Sequence, residues 1–143
     1  MTIEPASERD LPEIRALLAR LQLPLAGVDE HLRTMLVARE DEEIVGTAAL
    51  ELYADGALLR SVAVEPMRQG KLLGHQLTDA ALRLASTHGA NTVFLLTTTA
   101  ERFFPKFGFE QITRDQVPQS VRGSVEFQSA CPASAIVMRK QLG

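Results

Sequence analysis

Residues 58–77 read Leu-Leu-Arg-Ser-Val-Ala-Val-Glu-Pro-Met-Arg-Gln-Gly-Lys-Leu-Leu-Gly-His-Gln-Leu. The first seven residues form an apolar strand. Simple alternation puts Leu58, Arg60, Val62 and Val64 on one side and Leu59, Ser61 and Ala63 on the other. Pro66 stops the strand, because proline has no N–H to give a ladder. Residues 69–74 form a loop with two glycines, and a helix opens behind it. A strand, a loop bearing glycine and cations, and a helix N-terminus together suit an anionic diphosphate. The amides of the first helical turn lack internal partners, and the helix dipole adds partial positive charge at the same end. Gly70 and Gly74 permit close backbone approach, while Lys71 and Arg68 supply charge.

The pattern extends outward in both directions. Downstream, Leu73, Leu77, Ala80, Ala81 and Leu84 make one stripe of a helix that ends at His88-Gly89, where glycine suits the left-handed cap. Residues 92–97 are a buried strand, and 100–107 a short helix stopped by Gly108. A helical candidate spans 119–127, and a final strand 135–139. Upstream, 2–6 is a short strand. A helix opens at Asp10-Leu11-Pro12-Glu13, with Asp10 and Glu13 suited to a capping box. Its apolar face is Leu11, Ile14, Leu17, Leu18 and Leu21, and Pro24 and Gly27 end the unit. A second short helix is predicted at 29–33. Strands at 34–39 and 44–53 flank an acidic turn at 40–43, and Asp55-Gly56 marks the next turn. The order predicts a single domain over residues 1–143, a mixed α/β sheet with helices on both faces.

The 143 residues suit one domain with its own core. The net charge of -3 argues against general nucleic-acid binding, since no basic surplus exists to neutralise phosphates. No apolar run approaches the ~20 residues of a membrane span, and the N-terminus lacks a signal-peptide pattern. The default location is the cytoplasm. Cys131 is the only cysteine, so neither an internal disulfide nor a cysteine-based zinc cluster can form. No two histidines have ligand spacing with a third group, so no metal is predicted.

These features resemble the GNAT superfamily, the Gcn5-related N-acetyltransferases. That family's pyrophosphate signature, Gln/Arg-x-x-Gly-x-Gly/Ala after a strand, maps onto Gln69-Gly70-Lys71-Leu72-Leu73-Gly74, with Leu72 in place of the first signature glycine. The block Ala100-Glu101-Arg102-Phe103-Phe104-Pro105-Lys106-Phe107-Gly108-Phe109 is similar to the family's helix that ends in Gly-Phe before a strand. The resemblance implies a mainly antiparallel central sheet and acetyl-CoA as co-substrate. It implies that the backbone of Val62, Ala63 and Val64 holds the pantetheine arm, and that residues 69–74 hold the diphosphate, with His75, Phe104 and Lys106 nearby. Phe104 stands where many members carry a tyrosine that protonates the leaving thiolate, so that acid is absent here. The tail from Asp115 through Arg122–Phe127 to Ala135 is similar to the small acetyltransferases associated with arsenic resistance and to the acetyltransferase part of N-acetylglutamate synthases. That likeness implies the α-amine of glutamate, or of an analogue such as phosphinothricin or arsinothricin, as acceptor. Many family members dimerise, which leaves a homodimer open.

Acetyl transfer to an amine needs a base, an oxyanion donor and an oriented acceptor. Glu65, at the end of the motif strand, and Glu51, on the preceding strand, are the candidate bases. A solvated surface charge is the alternative for each. Arg60 and Arg122 are candidate clamps for an acceptor carboxylate, with an ion pair to a neighbouring acid as the alternative for Arg60. Ser61, Thr97 and Thr98 can meet the acceptor or pantetheine with hydroxyls, and Thr97 to Thr99 can equally cap the helix that follows. Two rival functions remain at this stage. One is a non-catalytic acyl-CoA sensor on the same fold. The other is acetylation of another amine, such as a protein N-terminus, a polyamine or an aminoglycoside.

Overall fold

The computed structural model describes residues 1–69, 72–130 and 134–142. Seven strands form one sheet: β1 (Thr2–Pro5), β2 (Met35–Glu40), β3 (Glu43–Tyr53), β4 (Gly56–Val64), β5 (Thr92–Thr97), β6 (Glu110–Ile112) and β7 (Ile136–Gln141). Their order is β1-β2-β3-β4-β5-β7-β6, and only the β4–β5 pair is parallel. Three α-helices, α1 (Leu11–Arg20), α2 (Leu73–Thr87) and α3 (Gln119–Arg122), flank the sheet. The mixed, mainly antiparallel architecture with helices on both faces is the one expected.

Helix α2 buries Leu73, Leu77, Thr78, Ala81, Leu82 and Ala85. Its apolar residues pack against Ala48, Leu50, Leu59, Val93 and Leu95 on one face of the sheet. Helix α1 puts Ile14, Leu17 and Leu18 against Val37, Ala49 and Ala63 on the other face. Val121 of α3 joins Leu58, Phe94 and Val137. The α2 stripe is rotated from the sequence reading, since Ala80 and Leu84 are only half-buried and Ala85 is buried. Among the described residues no helix is long and apolar enough to cross a membrane.

Four sequence expectations need correction. Strand β4 does not alternate throughout. Ser61 has φ 57°, and the pairing with β3 slips between Thr47↔Ala63 and Ala49↔Arg60. This bulge flips the rest of the strand. Leu58, Arg60 and Ala63 therefore share the α1/α3 face, while Leu59, Val62 and Val64 join the α2 core. Second, Asp10 makes no side-chain bond to the start of α1. The capping box lies one turn earlier, between Ser7 and Asp10. Asp10 is drawn there because Arg39 binds it at 2.6 Å, and that bond holds its carboxyl below the usual carboxylate range. Glu13 instead accepts the Ile44 amide at 2.8 Å. Third, the segment after β5 coils into a short 3-10 helix, Phe104–Phe107, and ends at Gly108 with φ 93°. Strand β6 behind it is only three residues long, too short to register as an alternating pattern. Fourth, the predicted 119–127 helix breaks into α3 and a turn of π-helix, Glu126–Ala130.

Candidate active site

The β4–β5 ladder contains Ala57↔Val93 and Leu58↔Phe94, yet both strands run on, to Val64 and Thr97. Beyond Leu58 they diverge, and a cleft of about 900 Å³ opens between them. The bulge at Ser61 is the local cause, because it twists the β4 edge away from its neighbour. A left-handed serine is strained, by roughly 1–2 kcal/mol. Two hydrogen bonds hold it: Thr47 Oγ1–H donates to the Ser61 carbonyl at 2.7 Å, and Arg60 Nε–H donates to Ser61 Oγ at 3.1 Å. Past the last ladder pair, the β4 edge facing β5 presents backbone N–H and C=O groups to the cleft. An extended, amide-bearing ligand can satisfy them as a strand would.

At one end the cleft reaches α2. Gln69, Leu72, Gly74 and His75 line it there, beside Phe103, Phe104 and Lys106. Gln69 is tied back by a 3.1 Å bond from its side-chain amide to the Val64 carbonyl. His75 stacks edge-on against Phe107 at 4.4 Å. Gly70 and Lys71, expected to bind the diphosphate, lie outside the described residues, as does Cys131. Leu73 is buried in the α2 core and Ala63 in the α1 core, so these two contribute backbone at most. Leu72 is the N-cap of α2 at φ 65°, 70% exposed. Leucine thus occupies the left-handed conformation that glycine adopts without strain. Replacing it removes strain and loses little burial, against the greater chain entropy of glycine. Leu72→Gly is expected to stabilise by about 0.5–1 kcal/mol, a rise of roughly 2–3 °C in thermal midpoint. A lowered midpoint would contradict this account of the loop.

At the other end the cleft meets Gln22, Leu23 and Pro24, which follow α1, together with Arg60, Ser61 and Glu126. None of Gln22 to Pro24 was a site candidate in the sequence, where Pro24 read only as a helix stop; the fold brings that loop to the cleft. Arg60 is buried at 3% exposure and tied on every side. It meets Glu51 at 2.7 Å through Nη1, Glu126 at 3.3 Å through Nε, and the Pro24 carbonyl at 3.2 Å through Nη2. Gly27, at φ +84°, lies so close that a Cβ there would stand 2.7 Å from Nη1. The ion-pair alternative therefore describes Arg60 better than a carboxylate clamp. Glu51 is wholly buried rather than a solvated charge. Its second oxygen accepts the Tyr53 hydroxyl and lies 3.5 Å from His31 Nε2. Burial, and then the bond to Glu51, push the Tyr53 hydroxyl above its usual range.

The other candidates disperse. Glu65 is ion-paired to Arg20 at 2.8 Å and does not line the cleft. Arg122 is exposed at the end of α3, away from the cleft wall. Thr97 Oγ1 accepts the Ala100 amide at 2.9 Å, which is a capping role, although Thr97, Thr98 and Thr99 all line the cleft. No three potential metal ligands cluster among the described residues. Glu126 was missed. The sequence signal was present, since it is the one acid in the quoted block 122–127, but nothing in the chain order brings it to Arg60.

A family model of the acetyltransferase (GNAT) domain matches residues 31–111, more than half the chain. The chain belongs to the GNAT acetyltransferase family. This GNAT domain is 30% identical over 129 residues to the amino-acid acetyltransferase of Mycobacterium tuberculosis, covering 83% of the chain and 74% of that relative. Among solved structures it is similar to N-acetylglutamate synthase from Neisseria gonorrhoeae complexed with coenzyme A and N-acetyl-glutamate. The TM-score is 0.86 at 23% identity, covering 99% of this chain and 35% of that one. It is also similar to Rv2747 from Mycobacterium tuberculosis, solved with CoA, with a TM-score of 0.83 at 25% identity over the whole of both chains. The GNAT domain spans 65% of one N-acetyltransferase relative, from Chlorobaculum tepidum, and 34% of the amino-acid acetyltransferases of Neisseria meningitidis.

Proposed function

We propose that this GNAT domain transfers the acetyl group of acetyl-CoA directly to the α-amine of an amino acid, either glutamate or a glutamate analogue of the phosphinothricin or arsinothricin type. The observation that carries the reading is the cleft where β4 and β5 part. Its shape suits a ligand with an extended amide arm and an anionic end. The pantetheine arm would pair with the β4 edge around Val62 and Val64. The diphosphate would meet the first-turn amides of α2, the end at which the helix dipole is positive. An amide of the splayed β4 edge would donate to the developing oxyanion. Phe104 carries no hydroxyl, so the thiolate departs without an acid at that position. The relatives' activity toward amino acids supports the acceptor class.

A second acceptor class is favoured by one observation. Two buried carboxylates, Glu51 and Glu126, surround Arg60 at the acceptor end, and Arg60 is already engaged by both. That setting suits a cationic amine such as a polyamine. The deciding experiment is release of free thiol from acetyl-CoA by the purified protein. The acceptor panel holds glutamate, phosphinothricin, arsinothricin, neutral amino acids, polyamines and aminoglycosides. Acceptor-dependent release with an acidic amino acid bears out the proposal. Release with polyamines alone moves the acceptor to the second class. Saturable acetyl-CoA binding without release for any amine points to a sensor.

A further inference from the structure

We infer that Glu126 is the catalytic base: the carboxylate that binds the acceptor's ammonium group and takes its proton. The inference rests on the acetyltransferase reading above. Among the described residues lining the cleft, Glu126 is the only carboxylate. Glu65 is off the cleft and paired with Arg20. Glu51 lies behind Arg60 and lines a separate hollow with His31 and Tyr53. Of the other titratable side chains on the cleft wall, His75 and Lys106 belong to its α2 end, and Arg60 is ion-paired with Glu126 itself. Glu126 stands at the other end, against Arg60.

Its placement is built rather than incidental. Glu126 opens the π-helical turn that interrupts the 119–130 segment, and such wide turns re-aim side chains and recur at functional sites. The turn is anchored by Ser124, whose carbonyl accepts the Gln128 amide at 3.0 Å. The Glu126 side chain is 4% exposed, and its Oε2 is 3.3 Å from Arg60 Nε. Arg60 holds the carboxylate in position, and Glu51 on its far side keeps Arg60 in place. Among the described residues, the charged and titratable groups on this side of Glu126 include Arg60 and, beyond it, Glu51, Tyr53 and His31.

The proton balance is simple. The ammonium nitrogen gives one proton to Glu126, which passes it to solvent. The free amine forms the N–C bond to the thioester carbon, and the C–S bond breaks as the tetrahedral intermediate collapses. The second proton lost by nitrogen goes to the departing thiolate. No oxidant or further reactant is needed.

The test is Glu126→Gln, which keeps the size of the side chain and an oxygen for Arg60. The readouts are kcat/KM between pH 6.5 and 10 with the best acceptor, acetyl-CoA affinity, and thermal midpoint. A base supplies roughly 10²–10⁴-fold. The expected result is a loss of at least about 100-fold near pH 7, shrinking as pH rises through the acceptor amine's own pKa, with acetyl-CoA affinity kept. A loss equal at every pH, or one that follows a fall in thermal midpoint, would show that Glu126 only holds Arg60, and would overturn the inference. Unchanged activity would overturn it too. If the wild-type protein binds acetyl-CoA but acetylates no amine at any pH, the acetyltransferase reading fails, and Glu126 as base fails with it.

Discussion

Arg60→Ala is expected to cost about 3–5 kcal/mol of stability and to abolish activity in whatever remains folded. The guanidinium is the partner of two buried carboxylates, Glu51 and Glu126. A buried pair adds little net stability compared with an apolar filling, because desolvation offsets the attraction, but removing one member leaves the other charge stranded. Here one deletion takes the guanidinium from two. It also withdraws the hydrogen bond to Ser61 that helps hold a left-handed serine in the β4 bulge, and the bond to the Pro24 carbonyl that pins the loop after α1. A domain of this size has only about 5–15 kcal/mol in hand. The thermal midpoint should fall by roughly 10–20 °C. Combining Arg60→Met with Glu51→Gln and Glu126→Gln should recover most of that loss without restoring activity, since the packing is refilled and no carboxylate is left bare. Thermal denaturation of the single and triple variants checks both halves. A single variant as stable as the parent would mean that the cluster is not the buried network described.

Gly74→Asp should weaken acetyl-CoA binding by roughly 10- to 100-fold while leaving the fold in place. A Cβ at this position would meet Phe103 at 3.5 Å and Val64 at 3.6 Å, which are ordinary contacts. Protein packing therefore does not demand glycine there, in keeping with the Gly/Ala of the signature, and a carboxylate in the first turn of a helix is favoured by the dipole. What the carboxylate does bring is negative charge at the cleft wall, beside the first-turn amides of α2. A charge-assisted hydrogen bond from such an amide to phosphate contributes about 1.5–3 kcal/mol, and displacing the phosphate forfeits much of one. Equilibrium titration with acetyl-CoA and a thermal melt, run on the same preparation, separate the two effects. Unchanged affinity would place the diphosphate elsewhere.

Much of this fold was legible because the signals were local. Pro66, the two loop glycines and the 3.6-residue stripe of α2 fixed the strand–loop–helix unit, and residues 92–97 read as a strand from their apolar run alone. The acidic 40–43 turn was also legible, and the structure gives Asp41 and Glu42 the positive φ of a tight hairpin. What escaped the sequence was set by tertiary contacts. Alternation predicted Arg60 and Val62 on one face, and only the Ser61 bulge, held by Thr47 and Arg60, separates them. Arg60 read as a clamp because an arginine among apolar residues shows a need for carboxylates without showing whose. They proved to be Glu51, nine positions away on the paired strand, and Glu126, sixty-six away. Asp10 lost its capping role to Arg39 for the same reason, a partner 29 residues distant.

The central claim is that acetyl-CoA occupies the gap between β4 and β5. Backbone amide chemical shifts, followed by NMR as acetyl-CoA is added, test it most directly. The account predicts saturable shifts concentrated at Val62, Ala63 and Val64 and at the first turn of α2, from Leu73 to Gln76, with Gly74→Asp requiring more ligand to reach the same end point. Shifts confined to other surfaces, such as the hollow around His31 and Tyr53, or no saturable shift at all, would contradict it.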